Sequence, residues 1–294
     1  NALISGYAQQ GLDHEALNCL ERMQNEGVPP NVVTFICILK ACGSMGSTGK
    51  GKWIHGEVLN RGLLHDDVEV GNALVDMYAK CGLLPRAEQV FEELPIRDII
   101  AWSALIAGYV QWGHGHDALR CFLQMQREGV FPNEVTFMCV LKACGSIGKV
   151  DKGEEIHDTI VKKGLLSKNI RLATSLVNMY AKCGLLAKAH QVHNELPVQN
   201  VVSWNALIAG YAQHEKAPEI FDCFAQMKRE GFSPDEVTFL CVLNACNQSG
   251  NLEEAQMYYE NMRNRYGIAP NLEHHSCMVT IFGHSGFFDK ALSV

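Results

Sequence analysis

With 294 residues, 47% of them hydrophobic, the chain has material for a large core, and its formal charge of −7, from 25 Lys and Arg against 32 Asp and Glu, excludes a nucleic-acid affinity resting on a broad basic patch. Polar residues break its apolar runs well short of the roughly 20 residues that span a bilayer, so no membrane partner is expected. The chain begins at Asn1 without an initiator Met, and no signal or transit peptide is present in it.

Taken in chain order, NALISGYA starts at Asn1, VTFICILKACGS at Val33 and NALVDMYAKCGLL at Asn72. The same three segments return 102 residues later as SALIAGYV from Ser103, VTFMCVLKACGS from Val135 and TSLVNMYAKCGLL from Thr174, and the first two return again from Asn205 and Val237. Self-similarity at a fixed period marks a stacked repeat architecture. Each period holds three units that read as helical hairpins. In one of them Val201, Trp204, Leu207, Ile208 and Tyr211 recur at helical spacing, Ile220, Phe221, Phe224 and Met227 mark a second helix, and Gly231 and Pro234 end it. The same stops recur at Gly27 and Pro30 and at Gly129 and Pro132, Gly allowing a left-handed cap and Pro halting the helix.

These stops give units 1–31, 32–67, 68–98, 99–133, 134–169, 170–200, 201–235, 236–271 and 272–294, with the first and last cut short. One hairpin cannot bury its own apolar face, so the expected fold is all-α: a single α-solenoid superhelix of about nine stacked helix-turn-helix hairpins. Both ends fall inside a hairpin, so targeting signals and further domains are expected outside the chain.

Unit lengths of 35, 36 and 31 residues, with YAKCG, IAGY and M-x(4)-G-x(2)-P segments, resemble the PLS class of plant-type pentatricopeptide repeat (PPR) proteins over the whole chain. Tetratricopeptide repeats share the hairpin plan, but their uniform period of about 34 residues does not suit this alternation. The resemblance implies P units ending at Asn31, Asn133 and Asp235, L units ending at Asp67, Asn169 and Asn271, and S units ending at Asp98 and Asn200. It further implies binding of single-stranded RNA at one base per unit, through the fifth and last residues of each unit. That rule belongs to this repeat type and is not read from this chain.

Carried over residue by residue, the reading pairs are Asn1 with Asn31, Asn72 with Asp98, Ser103 with Asn133, Thr174 with Asn200, and Asn205 with Asp235, while Ser276 in the last unit lacks its partner. Small polar groups are what base edges require, since Asn offers donor and acceptor, Ser and Thr a hydroxyl, and Asp acceptors alone. The L units depart, placing Ile36, Met138 and Leu240 at the reading position, and should discriminate poorly. By resemblance the target is 5′-YNUANAUNR-3′. The second residue of each unit helps sandwich the base, a role that Val33, Ile100, Val135, Val202 and Val237 fit and from which Glu69 and Arg171 depart; ordinary packing at a helix start is the competing account. Lys80 and Lys182 match the thirteenth-residue phosphate contact, whereas Gln9, Gln111 and Gln213 replace it in P units. Few phosphate contacts imply a shallow salt dependence.

Of the 12 Cys, 11 recur at the 102-residue offset, as expected of small core residues, and no C-x-x-C occurs. Many PLS proteins carry a C-terminal E or DYW-type zinc deaminase domain, signed by H-x-E and a later P-C-x-x-C. His193, Asn194 and Glu195 match the first half alone, at a packing position, and neither a metal nor another cofactor is expected. His190 and His193 lack a third ligand, and His55 and His157 read as structural. The chain is therefore expected to be no enzyme but an RNA-binding module of a mitochondrion or chloroplast, guiding editing or processing by another domain or partner, with accessory editing proteins at the L units. The alternative is a protein-binding helical scaffold.

Overall fold

A computed structural model describes residues 1–166, 169–196 and 198–293. Ser167 and Lys168 in unit 134–169, Pro197 in unit 170–200 and Val294 at the chain end lie outside the described residues. The described residues hold 19 helices and no strand, in two compact units, Asn1–Ala143 and Cys144–Val294.

The first compact unit opens with α1 (Ala2–Gln9) and α2 (Asp13–Asn25), then α3 (Val32–Met45) and α4 (Thr48–Asn60), and a short α5 (Leu63–Asp66) that the hydrophobic periodicity does not announce. It continues with α6 (Val68–Lys80) and α7 (Leu84–Glu93), α8 (Ile99–Gln111) and α9 (Gly115–Arg127), and reaches into α10 (Glu134–Ile147). The second holds α11 (Val150–Lys162), α12 (Ile170–Lys182), α13 (Leu186–Asn194), α14 (Val201–Gln213), α15 (Ala217–Arg229), α16 (Glu236–Ser249), α17 (Leu252–Asn264), α18 (Leu272–His284) and α19 (Phe288–Ser293). Within each unit the first helices of successive hairpins pack on one another, α1 on α3, α3 on α6 and α6 on α8, and likewise α12 on α14, α14 on α16 and α16 on α18. This is the layering of an α-solenoid.

Gly27, Gly129 and Gly231 take positive φ at the hairpin ends, as the turn chemistry requires. Between successive hairpins, α8 and α6 approach so closely that a Cβ on Gly108 would sit 2.5 Å from that of Ala79, and Gly210 meets Ala181 in the same way. Trp102 and Trp204 are fully buried, the first edge-on to Phe91 at 4.5 Å and the second tilted on His193 at 4.3 Å. Burial also pushes the core thiols up, to about 11 for Cys42 and about 12 for Cys121, Cys144, Cys223 and Cys246, leaving little thiolate for metal or redox chemistry.

Four His–Tyr hydrogen bonds of 2.9 Å join neighbouring hairpins: His55 Nδ1 with the Tyr78 hydroxyl, His157 with Tyr180, His190 with Tyr211, and His275 with Tyr259. Burial holds the imidazoles of His55, His157 and His193 below their ordinary 6.5. Above that value both folded and unfolded chains carry them neutral, and stability is complete. As pH falls through it the unfolded chain takes up protons first, so stability is lost. The melting temperature should therefore drop between about pH 7.5 and about pH 5.5. Replacing His55 and His157 together by Gln should shrink that drop, and an unchanged drop would contradict the assignment.

Candidate nucleic-acid interface

Each hairpin ends on an Asn or Asp because that side chain caps the next helix. Asn31 accepts the Thr34 amide at 3.0 Å, Asp98 the Ile100 and Ala101 amides at 2.9 Å each, Asn133 the Thr136 amide at 2.8 Å, Asn200 the Ser203 amide at 2.8 Å, and Asp235 the Thr238 amide at 3.0 Å. Such a cap contributes about 1 kcal/mol, which narrows the residues this position accepts before any ligand is considered.

Those capping carboxamides and carboxylates meet the fifth residues of the preceding hairpins. Asn72 donates from Nδ2 to both carboxylate oxygens of Asp98, at 3.1 and 3.0 Å, and Asn205 donates to both oxygens of Asp235 at 2.9 Å. Ser103 and Asn133 meet through Thr136, whose hydroxyl lies 2.8 Å from Ser103 Oγ and 2.9 Å from Asn133 Oδ1. Thr34 joins Asn1 and Asn31 likewise, at 2.5 and 3.0 Å. Thr174 and Asn200 share no hydrogen bond among the described residues: the Thr174 hydroxyl turns back to the Ile170 carbonyl at 2.8 Å, and Asn200 engages Ser203. Ser276 is exposed near the start of α18.

In the first compact unit these pieces line one groove of about 620 Å³, which gathers Asn72, Ser103, Asn133, Ile100 and Val135, with Lys40 beside them. Asn72 and Ser103 are nearly buried, yet Ile100 is 58% and Val135 48% exposed. Val33, Val202 and Val237 are exposed to a similar degree. Apolar side chains this open are not part of the buried core. At the L-unit reading position Ile36, Met138 and Leu240 are half-buried.

The two lysines expected at phosphate differ. Lys80 Nζ is held by Asp76 Oδ2 at 2.7 Å, one turn earlier on α6, whereas Lys182 has no ion pair among the described residues. Lys40, exposed on α3 and lining the groove, was not singled out by the repeat register. His193 is fully buried against Trp204, with Ser203 Oγ 3.4 Å from its Nε2, and His190 Nδ1 is hydrogen-bonded to the Tyr211 hydroxyl. Among the described residues no helix is long and apolar enough to cross a membrane.

Stacked hairpins, with a polar residue on each first helix of the P and S units and an Asn or Asp capping the helix that follows, define a helical-repeat protein. The PPR repeat family model matches residues 1–44, 97–146 and 199–248, the PPR repeat model matches 72–99, 135–165, 172–201 and 237–266, and the chain belongs to this family. A chloroplastic pentatricopeptide repeat-containing protein of Arabidopsis thaliana is 40% identical over 271 residues, covering 92% of this chain and 36% of that protein. A mitochondrial one from the same plant is 33% identical over 291 residues, covering 99% of this chain and 52% of the relative. The chain thus spans between about a third and about a half of these relatives. The solved structure of the pentatricopeptide repeat protein PPR10 from maize aligns over 97% of this chain and 46% of its own, at 23% identity and a TM-score of 0.49.

Proposed function

We propose that the chain binds single-stranded RNA in a sequence-selective manner, one base per hairpin in the PLS arrangement, with the target 5′-YNUANAUNR-3′. The observation that carries the reading is the groove in which nearly buried polar reading residues sit between exposed aliphatic side chains. Apolar groups flanking a polar edge suit a planar base, whose faces take apolar contact and whose edge needs hydrogen bonds.

The two kinds of pair have opposite polarity. In Asn205 with Asp235 the fifth residue donates and the last accepts. That arrangement complements a carbonyl oxygen beside the imino N–H of uracil. In Ser103 with Asn133 the Thr136 hydroxyl occupies Asn133 Oδ1, leaving the amide N–H₂ as donor and the Ser103 oxygen as acceptor. Those two complement N1 and the amino group of adenine. The unit boundaries, the U at bases three and seven and the A at bases four and six follow from this register. L units then act as spacers or as a surface for accessory editing proteins through Ile36, Met138 and Leu240. The site of action is a mitochondrial or chloroplast transcript, with any chemistry supplied by another domain or partner.

Direct binding tests the proposal: RNA carrying the target should bind more tightly than the same RNA with its U and A exchanged, and equal affinities would defeat the register. The slope of log affinity against log salt should be shallow, at about 0.7 per phosphate neutralised on a single strand. Lys182→Met should reduce it by about that amount, and Lys80→Met by less, because Asp76 already balances that ammonium. Equal effects of the two substitutions would refute the distinction.

A further inference from the structure

Thr34, Thr136 and Thr238 are fully buried and lie at the 102-residue offset, third from the start of the units that follow Asn31, Asn133 and Asp235. Nothing in the reading register assigns them a role. Yet each hydroxyl reaches back 33 residues to the fifth residue of the preceding hairpin, at 2.5 Å from Asn1 Oδ1, 2.8 Å from Ser103 Oγ and 2.6 Å from Asn205 Oδ1. Each also stands 2.9 to 3.0 Å from Oδ1 of the capping residue. Among the described residues, the third residue of the other units makes no such bridge to a fifth residue. Ala101 follows Asp98, and there Asn72 Oδ1 is buried without a partner. Ser203 follows Asn200, and its hydroxyl bonds back to Asn200 alone in that pair.

We propose that these three threonines are positioning residues whose hydroxyls fix which atoms of the neighbouring pair face the base. The proposal rests on the RNA-reading function argued above and names what sets its selectivity. A hydroxyl has one hydrogen. With the Thr136 hydrogen on Asn133 Oδ1, the Ser103 hydroxyl donates to Thr136 and presents only its lone pairs outward. Adenine offers an amino donor to such an oxygen, while guanine offers the O6 acceptor and is repelled. Without Thr136 the Ser103 hydroxyl is free to rotate and donate to guanine O6. At Thr238 the hydrogen satisfies Asn205 Oδ1, holding the amide N–H side towards Asp235 and the base.

The test uses the folded chain and RNAs varied at one base. Thr136→Val removes the hydroxyl at nearly constant volume and should lower the A-over-G affinity ratio at base four by about three- to tenfold. The U preference at base three, read by Asn72 and Asp98 without a bridge, should not change. Thr136→Ser should restore the ratio. A Val variant that is folded by circular dichroism and keeps its ratio at base four overturns the proposal, as does an equal loss at bases three and four, which would mark a general structural effect. Should the Val variant not fold, the wild-type chain still decides. Its A-over-G ratio must be larger at base four, where the pair is bridged, than at base six, where Thr174 and Asn200 are not, and equal ratios overturn the idea. Wild-type chain that shows no base preference at all defeats the RNA-reading function itself and this inference with it.

Discussion

Exchanging Asn205→Ser together with Asp235→Asn should turn the preference at the seventh base from U to A. The chain already contains the intended arrangement, because Ser103, Thr136 and Asn133 hold the corresponding positions 102 residues earlier. Thr238 stands where Thr136 stands, fully buried and within hydrogen-bond reach of both reading residues. Asn remains a good helix cap, so α16 should keep its start. What changes is polarity: the donor moves from the fifth residue to the last, and uracil loses its complement as adenine gains one. At about 1 kcal/mol for each of the two hydrogen bonds lost to uracil and the two gained to adenine, the U-to-A affinity ratio should shift by roughly a hundred- to a thousandfold. Equilibrium binding to two RNAs differing only at that base measures it. An unchanged ratio would show that this pair does not read.

The largest effect on stability is expected at Trp204, which lies one residue before the reader Asn205. On a helix, consecutive side chains point about 100° apart. Trp204 anchors the inner face of α14 against His193, and Asn205 is thereby turned to the groove. Trp204→Ala removes a fully buried indole and should cost about 3–5 kcal/mol. Trp204→Phe should cost much less. The indole Nε1 is buried without a hydrogen-bond partner, and removing an unsatisfied donor offsets part of the lost packing, by about 1–3 kcal/mol. Denaturant titration of the two variants separates them, and equal destabilisation would mean that ring packing against His193 is not what holds α14.

The hairpins were readable because their signals are local. Gly27, Gly129 and Gly231, the Pro residues behind them and helical apolar spacing all lie within one unit, and their recurrence at a fixed offset amplifies them. The short α5 escaped because four residues carry no periodicity. The exposure of Val33, Ile100, Val135, Val202 and Val237 was not legible for a physical reason: Val or Ile at a helix start looks the same in sequence whether it packs or faces solvent, and which it does depends on how the hairpins stack. The threonine bridges were visible only as the repeated VTF of Val33, Val135 and Val237, because a contact across 33 residues depends on how one hairpin stacks on the next. Lys80 and Lys182 look equivalent in YAKCG. They differ because Asp76 and Asn178 precede them by one turn.

The half-buried Ile36, Met138 and Leu240 offer no hydrogen bond to a base edge, so discrimination should fall at the second, fifth and eighth bases. Selectivity then alternates along the RNA in a way that neither a charge-driven binder nor a protein-binding scaffold would reproduce. Selection of RNA from a randomised pool on this chain should enrich U at the third and seventh bases and A at the fourth and sixth, with near-random bases at the second, fifth and eighth. A pool recovered without base preference at those four positions would contradict RNA reading by this chain.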